Sequence, residues 1–457
     1  MSVGWQVSLA ALAAAVLVAC SDDGAAPQPS PTTSSPAPAA TSPTTPPVDT
    51  PAPTRTTPAR TQPLVLAIHP TRAAQDIDIT TARSIVRGTL KSWRGFQVGS
   101  LRRAQNSTNT LALVPASAAG PSIRPLTVAG IDPFKDPAAY PLRTAGPQAA
   151  ADVIDLTVGG DVMLGRRVAT AAARTGDVSR PLRAIGPQLA SADLTVVNLE
   201  STLSQAGTPQ QGGDSFAAPP GVVAGLRDAG VDVLSLANNH VGDFQQRALL
   251  DTVRLVRAGG IQPVGAGGNL TEAAQPVIET RAGVRFGFLA FNAIGETPRA
   301  TATSPGAFSL RMPPRTGPLN EADLAAVTRA IQTLKSAVDV VVVLPHWGQQ
   351  YTHTPVSAQR TVATALTEAG ADLVIGGHPH WVQSVEFPRG KVVAHSLGNL
   401  VFDMDFSQQT QEGVLLELTY WDKTLKAARL TPYVIGSDFS PRVVTGTRAE
   451  QILADIR

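Results

Sequence analysis

Apolar positions are distributed along the chain in four different ways. Val7 to Ala19 is almost wholly apolar, but thirteen helical residues rise only about 20 Å, short of the roughly 30 Å of a bilayer core. The run predicts an export signal rather than a membrane span. From Ser21 to Gln62 no apolar period exists, and the Pro/Thr/Ser/Ala tract predicts a disordered, extended tether. Between 63 and 150, short apolar runs predict strands at Leu64–Ile68, Leu111–Val114 and Ile123–Val128, with a short helix at Thr80–Arg87. From Asp152 onward, β-branched runs alternate with amphipathic segments, the pattern of layered α/β architecture. Strands are predicted at Ile154–Val158, Leu194–Asn198, Val231–Ala237, Val338–Leu344 and Asp372–Ile375, with a helix over Gln246–Ala258. The chain thus divides into 1–20, 21–62, 63–150, 151–440 and a C-terminal tail at 441–457.

Composition adds three constraints. The 457 residues suffice for a large core, and a net charge of +2 argues against a polyanion-binding protein of the histone type and against an acidic disordered chain. That near-neutrality hides an asymmetry: 63–150 holds ten Lys/Arg against four Asp, whereas 151–457 holds 25 basic and 28 acidic residues. A single cysteine, Cys20, excludes an internal disulfide and any multi-cysteine metal site. Leu17-Val18-Ala19-Cys20 resembles a bacterial lipobox, which implies lipidation of Cys20 and removal of the residues before it. The expected location is extracytoplasmic, tethered to the bacterial cell membrane.

Chemistry gathers where the predicted strands end, the place where open α/β sheets bind ligands. These ends deliver Gly160-Asp161, Asn198-Leu199-Glu200, Asn238-Asn239-His240, His346-Trp347 and Gly376-Gly377-His378-Pro379-His380. Six of the seven histidines follow Asn239. Imidazole mixed with carboxylate and amide oxygen suits manganese, iron or zinc. An extended His378-Pro379-His380 would point its rings to opposite faces unless the proline and the glycines bend it. Gly265–Gly268 lacks the Lys-Ser/Thr of a phosphate loop, and Ser396 lacks the setting of a nucleophile elbow.

Gly160–Gly165, Ala192–Glu200, Leu236–His240 continuing to Asp251-Thr252, His346–Gly348, Gly370–His380 and Ser396–Asn399 resemble the CapA family of poly-γ-glutamate capsule synthesis proteins. That resemblance spans about Asp155 to Ser440 and implies the calcineurin-like metallophosphoesterase fold, a four-layer αββα sandwich. It implies two divalent transition metals: Asp161 and His380 on one, Asn239, His346 and His378 on the other, and Glu200 bridging. His240 is the implied general acid. Asn198, Asn238, Trp347 and Asn399 are the candidates for substrate contact, and Trp381 also flanks the site. Met163, Gln350, Gly377 and His395 stand where the related pattern has His, Glu, His and Tyr. Within 63–150, Asp78–Trp93 and Leu113–Arg143 resemble part of one lobe of a phosphate-type periplasmic binding protein, giving a small basic α/β lobe.

The expected activity is metal-dependent hydrolysis in the synthesis, export or attachment of an anionic surface polymer, on a phosphoester or an amide bond. The polymer machinery is an expected partner and nucleic acid is not. A non-catalytic polymer-binding or export scaffold of the same fold is the alternative.

Overall fold

The strands from Asp152 onward are apolar on both faces, so each sheet they build has to be covered twice. The computed structural model describes residues 60–147 and 152–457; the Val7–Ala19 run, Cys20 and nearly all of the 21–62 tract lie outside the described residues. One sheet has eight strands. Gln262–Val264, Val233–Ser235, Leu194–Leu199 and Val153–Val162 are parallel neighbours, and Glu412–Trp421, Thr424–Ile435 and Pro441–Val443 continue it antiparallel. Asn399–Val401 pairs with the far end of Val153–Val162. A second sheet has six strands, with a parallel centre of Val284–Asn292, Val340–His346, Leu373–Ile375 and Val392–Ala394.

Side-chain alternation assigns the layers. Leu194 and Val196 join Phe286, Phe288, Val340 and Val342 in the core between the sheets. Val197 and Leu199 point the other way, toward Leu249, Val253 and Val256 of helix Gln245–Ala258. Val341 and Val343 meet helices Glu321–Lys335 and Ser357–Ala369 on the outer side of the second sheet. The order is helix, sheet, sheet, helix: the expected αββα sandwich. The carboxyl ends of the parallel strands gather Asp161, Asn198 and His346 along one rim.

Residues 63–150 do not stand apart as the composition suggested. Their six-stranded sheet, antiparallel except for one pair, buries Val65, Ala112, Val114 and Phe134 against Trp421 and Ala427 of the main hairpin. Arg429 forks onto Asp132 at 2.7 and 2.8 Å, and Arg124 donates to the Leu430 carbonyl at 2.7 Å. Burial lowers the Arg124 guanidinium to about 10. Pro58–Arg457 therefore forms one compact unit. The expected strand Ile123–Val128 divides into Arg124–Pro125 and Thr127–Val128, which pair with different partners. Pro125 offers no N–H with which to continue the ladder. The segment expected as a tail, 441–457, supplies a strand and helix Gly446–Ala454, whose Ala449, Ile452 and Leu453 lie in the inter-sheet core. No helix among the described residues is long and apolar enough to cross a membrane.

Candidate metal centre

Glycine lets the loops close over the strand ends. A Cβ on Gly160 would fall 1.9 Å from the Gly398 carbonyl oxygen, and one on Gly377 would fall 2.4 Å from Asp161 Oδ1. Backbone conformation does the rest at the two histidines. His378 has φ +96° and His380 φ +60°, in the left-handed region that non-glycine residues seldom occupy. This is the bend that brings both rings to one site, with centroids 5.8 Å apart.

Two groups of ligand-type side chains result. Glu200, His346 and His378 form one, and Asp161, Glu200 and His380 the other, with the ligand atoms within each group no more than 4.8 Å apart. Glu200 is common to both. All five side chains are buried. Both carboxylate oxygens of Glu200 and both ring nitrogens of His378 lack any hydrogen-bond partner, a costly condition for buried polar atoms. Divalent cations bound by this mixed oxygen and nitrogen set would satisfy them, so the residues fit the metal chemistry.

Electrostatics agree with that fit. Burial, reinforced by the charge of Glu200, lifts the Asp161 carboxyl to about 7, and burial lifts Glu200 to about 8. Two cations would offset the repulsion. Burial lowers His346 to about 4 and His380 to about 3, leaving neutral imidazoles with lone pairs to donate. His380 Nδ1 lies 2.9 Å from Asn399 Oδ1, so Nδ1 carries the proton and Nε2 is left for the site. Asp161 accepts from Asn198 Nδ2 at 2.8 Å and from the His378 backbone N–H at 3.0 Å.

Asn239 and His240 complete the rim. Asn239 Oδ1 is 2.9 Å from His346 Nε2, and its Nδ2 donates to Glu296 Oε2 at 2.7 Å. Arg315 in turn holds Glu296 at 2.6 Å. Because a carboxylate can only accept, it fixes the Asn239 amide with its oxygen toward the histidines. His240 places Nε2 3.9 Å from Glu200 Oε1, with Nδ1 against Asp243 and its ring stacked on Phe216 at 3.7 Å.

The substrate-contact candidates fare differently. Trp347 is fully buried, donates from Nε1 to the His395 carbonyl at 3.0 Å and packs edge-on to Phe291, so it is a core residue and cannot reach a substrate. Asn238 is also fully buried. Its amide donates to Asn198 Oδ1 and the Leu199 carbonyl, and its oxygen accepts from the N–H groups of His240 and Val241. Asn399 donates to the Thr410 carbonyl while orienting His380, and Asn198 is committed to Asp161. These three asparagines hold the ligand-type side chains and their loops in place of a substrate, because buried strand-end amides find partners within the protein.

The rim presents other side chains. Tyr351, 40% exposed, stacks 6.0 Å from His380, and Phe406, 65% exposed, packs edge-on to it at 5.4 Å. Sequence reasoning missed these two, along with Asp243, Glu296, Gln211 and Phe216. Asp243 could have been found from its spacing of three after His240; the others sit in irregular loops that carry no periodic signal. Met163, at the expected histidine place, is buried, and its sulfur accepts from the Gly165 N–H at 3.1 Å. His395 is buried beside Trp347, outside both ligand groups.

Comparison with known proteins follows the same lines. Residues 155–404 match the family described as bacterial capsule synthesis protein PGA_cap. Capsule biosynthesis protein CapA of Bacillus anthracis is 31% identical over 297 residues, 64% of this chain and 70% of that one. PGA biosynthesis protein CapA of Bacillus subtilis (strain 168) is 29% identical over 270 residues, 58% and 67% of the two chains. A probable polyglutamine synthesis accessory protein of Mycobacterium tuberculosis is 28% identical over 292 residues, 56% and 76%. Among solved structures, a phosphatase from Mycoplasma pneumoniae aligns at 14% identity and TM-score 0.38, covering 66% of this chain and 97% of its own. A Staphylococcus aureus protein in complex with alpha-ketoglutarate, described as a 5′-nucleotidase, aligns at 13% identity and TM-score 0.39, covering 67% and 58%. With more than half of its length matched, this chain belongs to the PGA_cap family of bacterial capsule synthesis proteins.

Proposed function

We propose that this protein is a metal-dependent hydrolase acting on an anionic, glutamate-type envelope polymer, tethered outside the cell membrane through Cys20. The observation that carries the reading is Glu200. Its two buried, partnerless oxygens lie between His346 and His378 on one side and Asp161 and His380 on the other. An acid in that position serves no packing purpose and suits a bridge between two cations.

The chain's own residues divide the work. Asp161, Glu200, Asn239, His346, His378 and His380 would hold the metals, which supply charge stabilisation and water activation when bound. Asn198, Asn399 and Glu296 orient three of those side chains. His240 Nε2 faces the ligand groups and moves a proton to the leaving group, while Asp243 holds Nδ1 protonated. The buried floor keeps bulk water from the ligands, and Tyr351 and Phe406 offer an exposed wall to the substrate.

A scaffold that binds polymer without cutting it is the second reading. It is favoured by the Mycobacterium tuberculosis relative's description as an accessory protein and by Met163 in the place of a ligand histidine. The test is metal content of wild type beside His378→Ala/His380→Ala, followed by incubation with poly-γ-glutamate and with a bis-aryl phosphodiester. Two ions per chain, lost in the variant, with metal-dependent cleavage of either substrate, support the hydrolase. Polymer binding without cleavage by the metal-loaded protein establishes the scaffold. Absence of metal after reconstitution with manganese, iron and zinc overturns the metal centre.

A further inference from the structure

Between Asp78 and Asp132 the chain contains no acidic residue and seven cations. Arg124 turns inward to the Leu430 carbonyl. The other six, Arg83, Arg87, Lys91, Arg94, Arg102 and Arg103, are exposed, and among the described residues none has a carboxylate within 4 Å. Elsewhere exposed cations are paired in part, as Arg299 and Arg311 are with Asp323, and unpaired in part, as Arg174 and Arg329 are; this stretch differs in having no acidic residue among its cations.

Four of the six follow one another along helix Ile79–Val86, its C-terminal end and the next hairpin. Helix Ile79–Val86 buries Ala82 and Ile85 and turns Arg83 and Arg87, one turn apart, outward. Lys91 folds back so that its Nζ lies 3.3 Å from where a Cβ on Gly88 would stand. The hairpin Ser92–Trp93/Phe96–Gly99 then carries Arg94 at its tip, its guanidinium 4.9 Å from the Trp93 ring. Trp93 stacks on buried Phe96 and stays half-exposed.

The turn itself is informative. Arg94 and Gly95 are the two residues between the paired Trp93 and Phe96, with φ +45° and +84°. Such a turn favours asparagine or glycine at its first position. An arginine there bears backbone strain, and its side chain makes no ion pair, donating only to Gln75 Oε1 at 3.1 Å. A strained, unpaired cation beside three others and an open aromatic ring suits a ligand from outside the chain.

We propose that this edge is a second binding site, remote in function from the metal centre, for the carboxylates of an extended acidic polypeptide of the poly-γ-glutamate class. Charge complementarity identifies the occupant. Uncompensated positive charge along a helix turn and hairpin, with no enclosing cavity, fits a chain of carboxylates rather than a small molecule. The inference rests on the reading that the protein handles an anionic polymer, and it assigns to this edge the task of holding the chain while another stretch meets the metal site.

The test measures binding of poly-γ-glutamate to the full chain at low salt. In the patch variant, Arg83→Gln, Arg87→Gln and Lys91→Gln are combined with Arg94→Asn, a substitution the turn favours, so folding is preserved. A control variant, Arg174→Gln/Arg247→Gln/Arg257→Gln/Arg329→Gln, removes the same charge from exposed, unpaired positions elsewhere. At least tenfold weaker binding in the patch variant alone, with melting temperature and metal content unchanged, supports the site. Equal loss in both variants reduces the effect to net charge and overturns it. Binding lost in His378→Ala/His380→Ala but kept in the patch variant overturns the second site and leaves the polymer reading standing. Failure of wild type to bind overturns both.

Discussion

His240 Nδ1 lies 2.8 Å from Asp243 Oδ2, and that carboxylate is itself held in place. The same oxygen accepts from the Phe216 N–H at 2.6 Å, and Oδ1 accepts from Gln211 Nε2 at 2.6 Å. Phe216 stacks on the imidazole, and the Arg166 guanidinium lies 4.3 Å from the centroid of that same Phe216 ring. Ring position, tautomer and direction are therefore set before any substrate arrives, with Nε2 toward Glu200.

His240→Ala should lower turnover of the metal-loaded protein by about 10²–10⁴-fold, the usual worth of a positioned proton donor, with metal content unchanged. Asp243→Asn should fall between that variant and wild type. Its amide can present an N–H to Nδ1 and favour the wrong tautomer. Steady-state kinetics beside metal analysis decide the matter: loss of metal in either variant would make the pair structural.

Glu296 sits at φ +64°, so it too occupies the left-handed region, and it fixes the Asn239 amide. Glu296→Ala should weaken the cation nearest Asn239 and His346 by about 10–100-fold, the common cost of losing such a supporting hydrogen bond. Glu296→Gln retains an acceptor and should lose less. Chelator competition measures both, and equal affinities in all three proteins would remove Asn239 from the ligand set.

Glu200 gives a prediction whose sign depends on metal. In metal-free protein, Glu200→Gln removes a buried, partnerless carboxyl group whose ionisation burial opposes, so the melting temperature at neutral pH should rise. In metal-saturated protein the same change removes a shared ligand, so it should fall. Wild type should itself gain about 2.7 kcal/mol at a hundredfold excess of free cation over the dissociation constant. Scanning calorimetry of both proteins with and without chelator reads the reversal, and a shift of the same sign in both states would exclude Glu200 from metal binding.

The sequence made some of this legible and hid the rest for physical reasons. Strand ends and their polar residues could be read because an unbroken β-branched, apolar run marks each strand and the next loop must begin where it stops. That put Asp161, Glu200 and His346 at or beside the ends of strands, where the structure has them. Trp347 could not be placed, because a residue just past a strand end can turn toward the rim or back into the core. Only the packing of Phe291 and the free His395 carbonyl settles which. Glu296 and Phe216 act through contacts across long sequence separations and leave no local trace. The union of 63–150 with the main hairpin was hidden likewise, since Trp421 and Phe134 meet only in three dimensions.

Asp323 sets an acid limit on stability away from the site. Burial by itself would raise its carboxyl, but bonds from Arg299 at 2.8 Å and from the Arg311 side chain and backbone outweigh burial and hold it well below the carboxylate range. A depressed carboxylate stabilises fully above its unfolded value near 4 and loses that contribution as pH falls toward the folded value. Asp323→Asn should cost about 1–2 kcal/mol at neutral pH, both arginines being half-exposed. It should also flatten the fall in stability below about pH 4. Urea unfolding between pH 3 and pH 7 checks this, and parallel curves for the two proteins would contradict it.

Gly377 offers the sharpest structural test of the centre, because it stands where the related pattern has a histidine. An alanine Cβ there would fall 2.4 Å from Asp161 Oδ1 and 3.2 Å from His346 Nδ1. Neither neighbour is a flexible side-chain end: Asp161 is held by Asn198 and the His378 N–H, and both are buried. The backbone bonds of Gly377 to Pro345 and Trp347 do not involve the added methyl, so the fold should persist while Asp161 is displaced. Gly377→Ala should therefore weaken the cation shared by Asp161 and His380 by about 10–100-fold. Gly213→Ala, with open space around its Cβ, should leave metal binding as in wild type. Titration of the apo-protein with manganese, read by calorimetry, separates two sites of different affinity. If Gly377→Ala retains both at wild-type strength, the carboxylate of Asp161 is not a ligand, and the space beside Gly377 serves something other than metal.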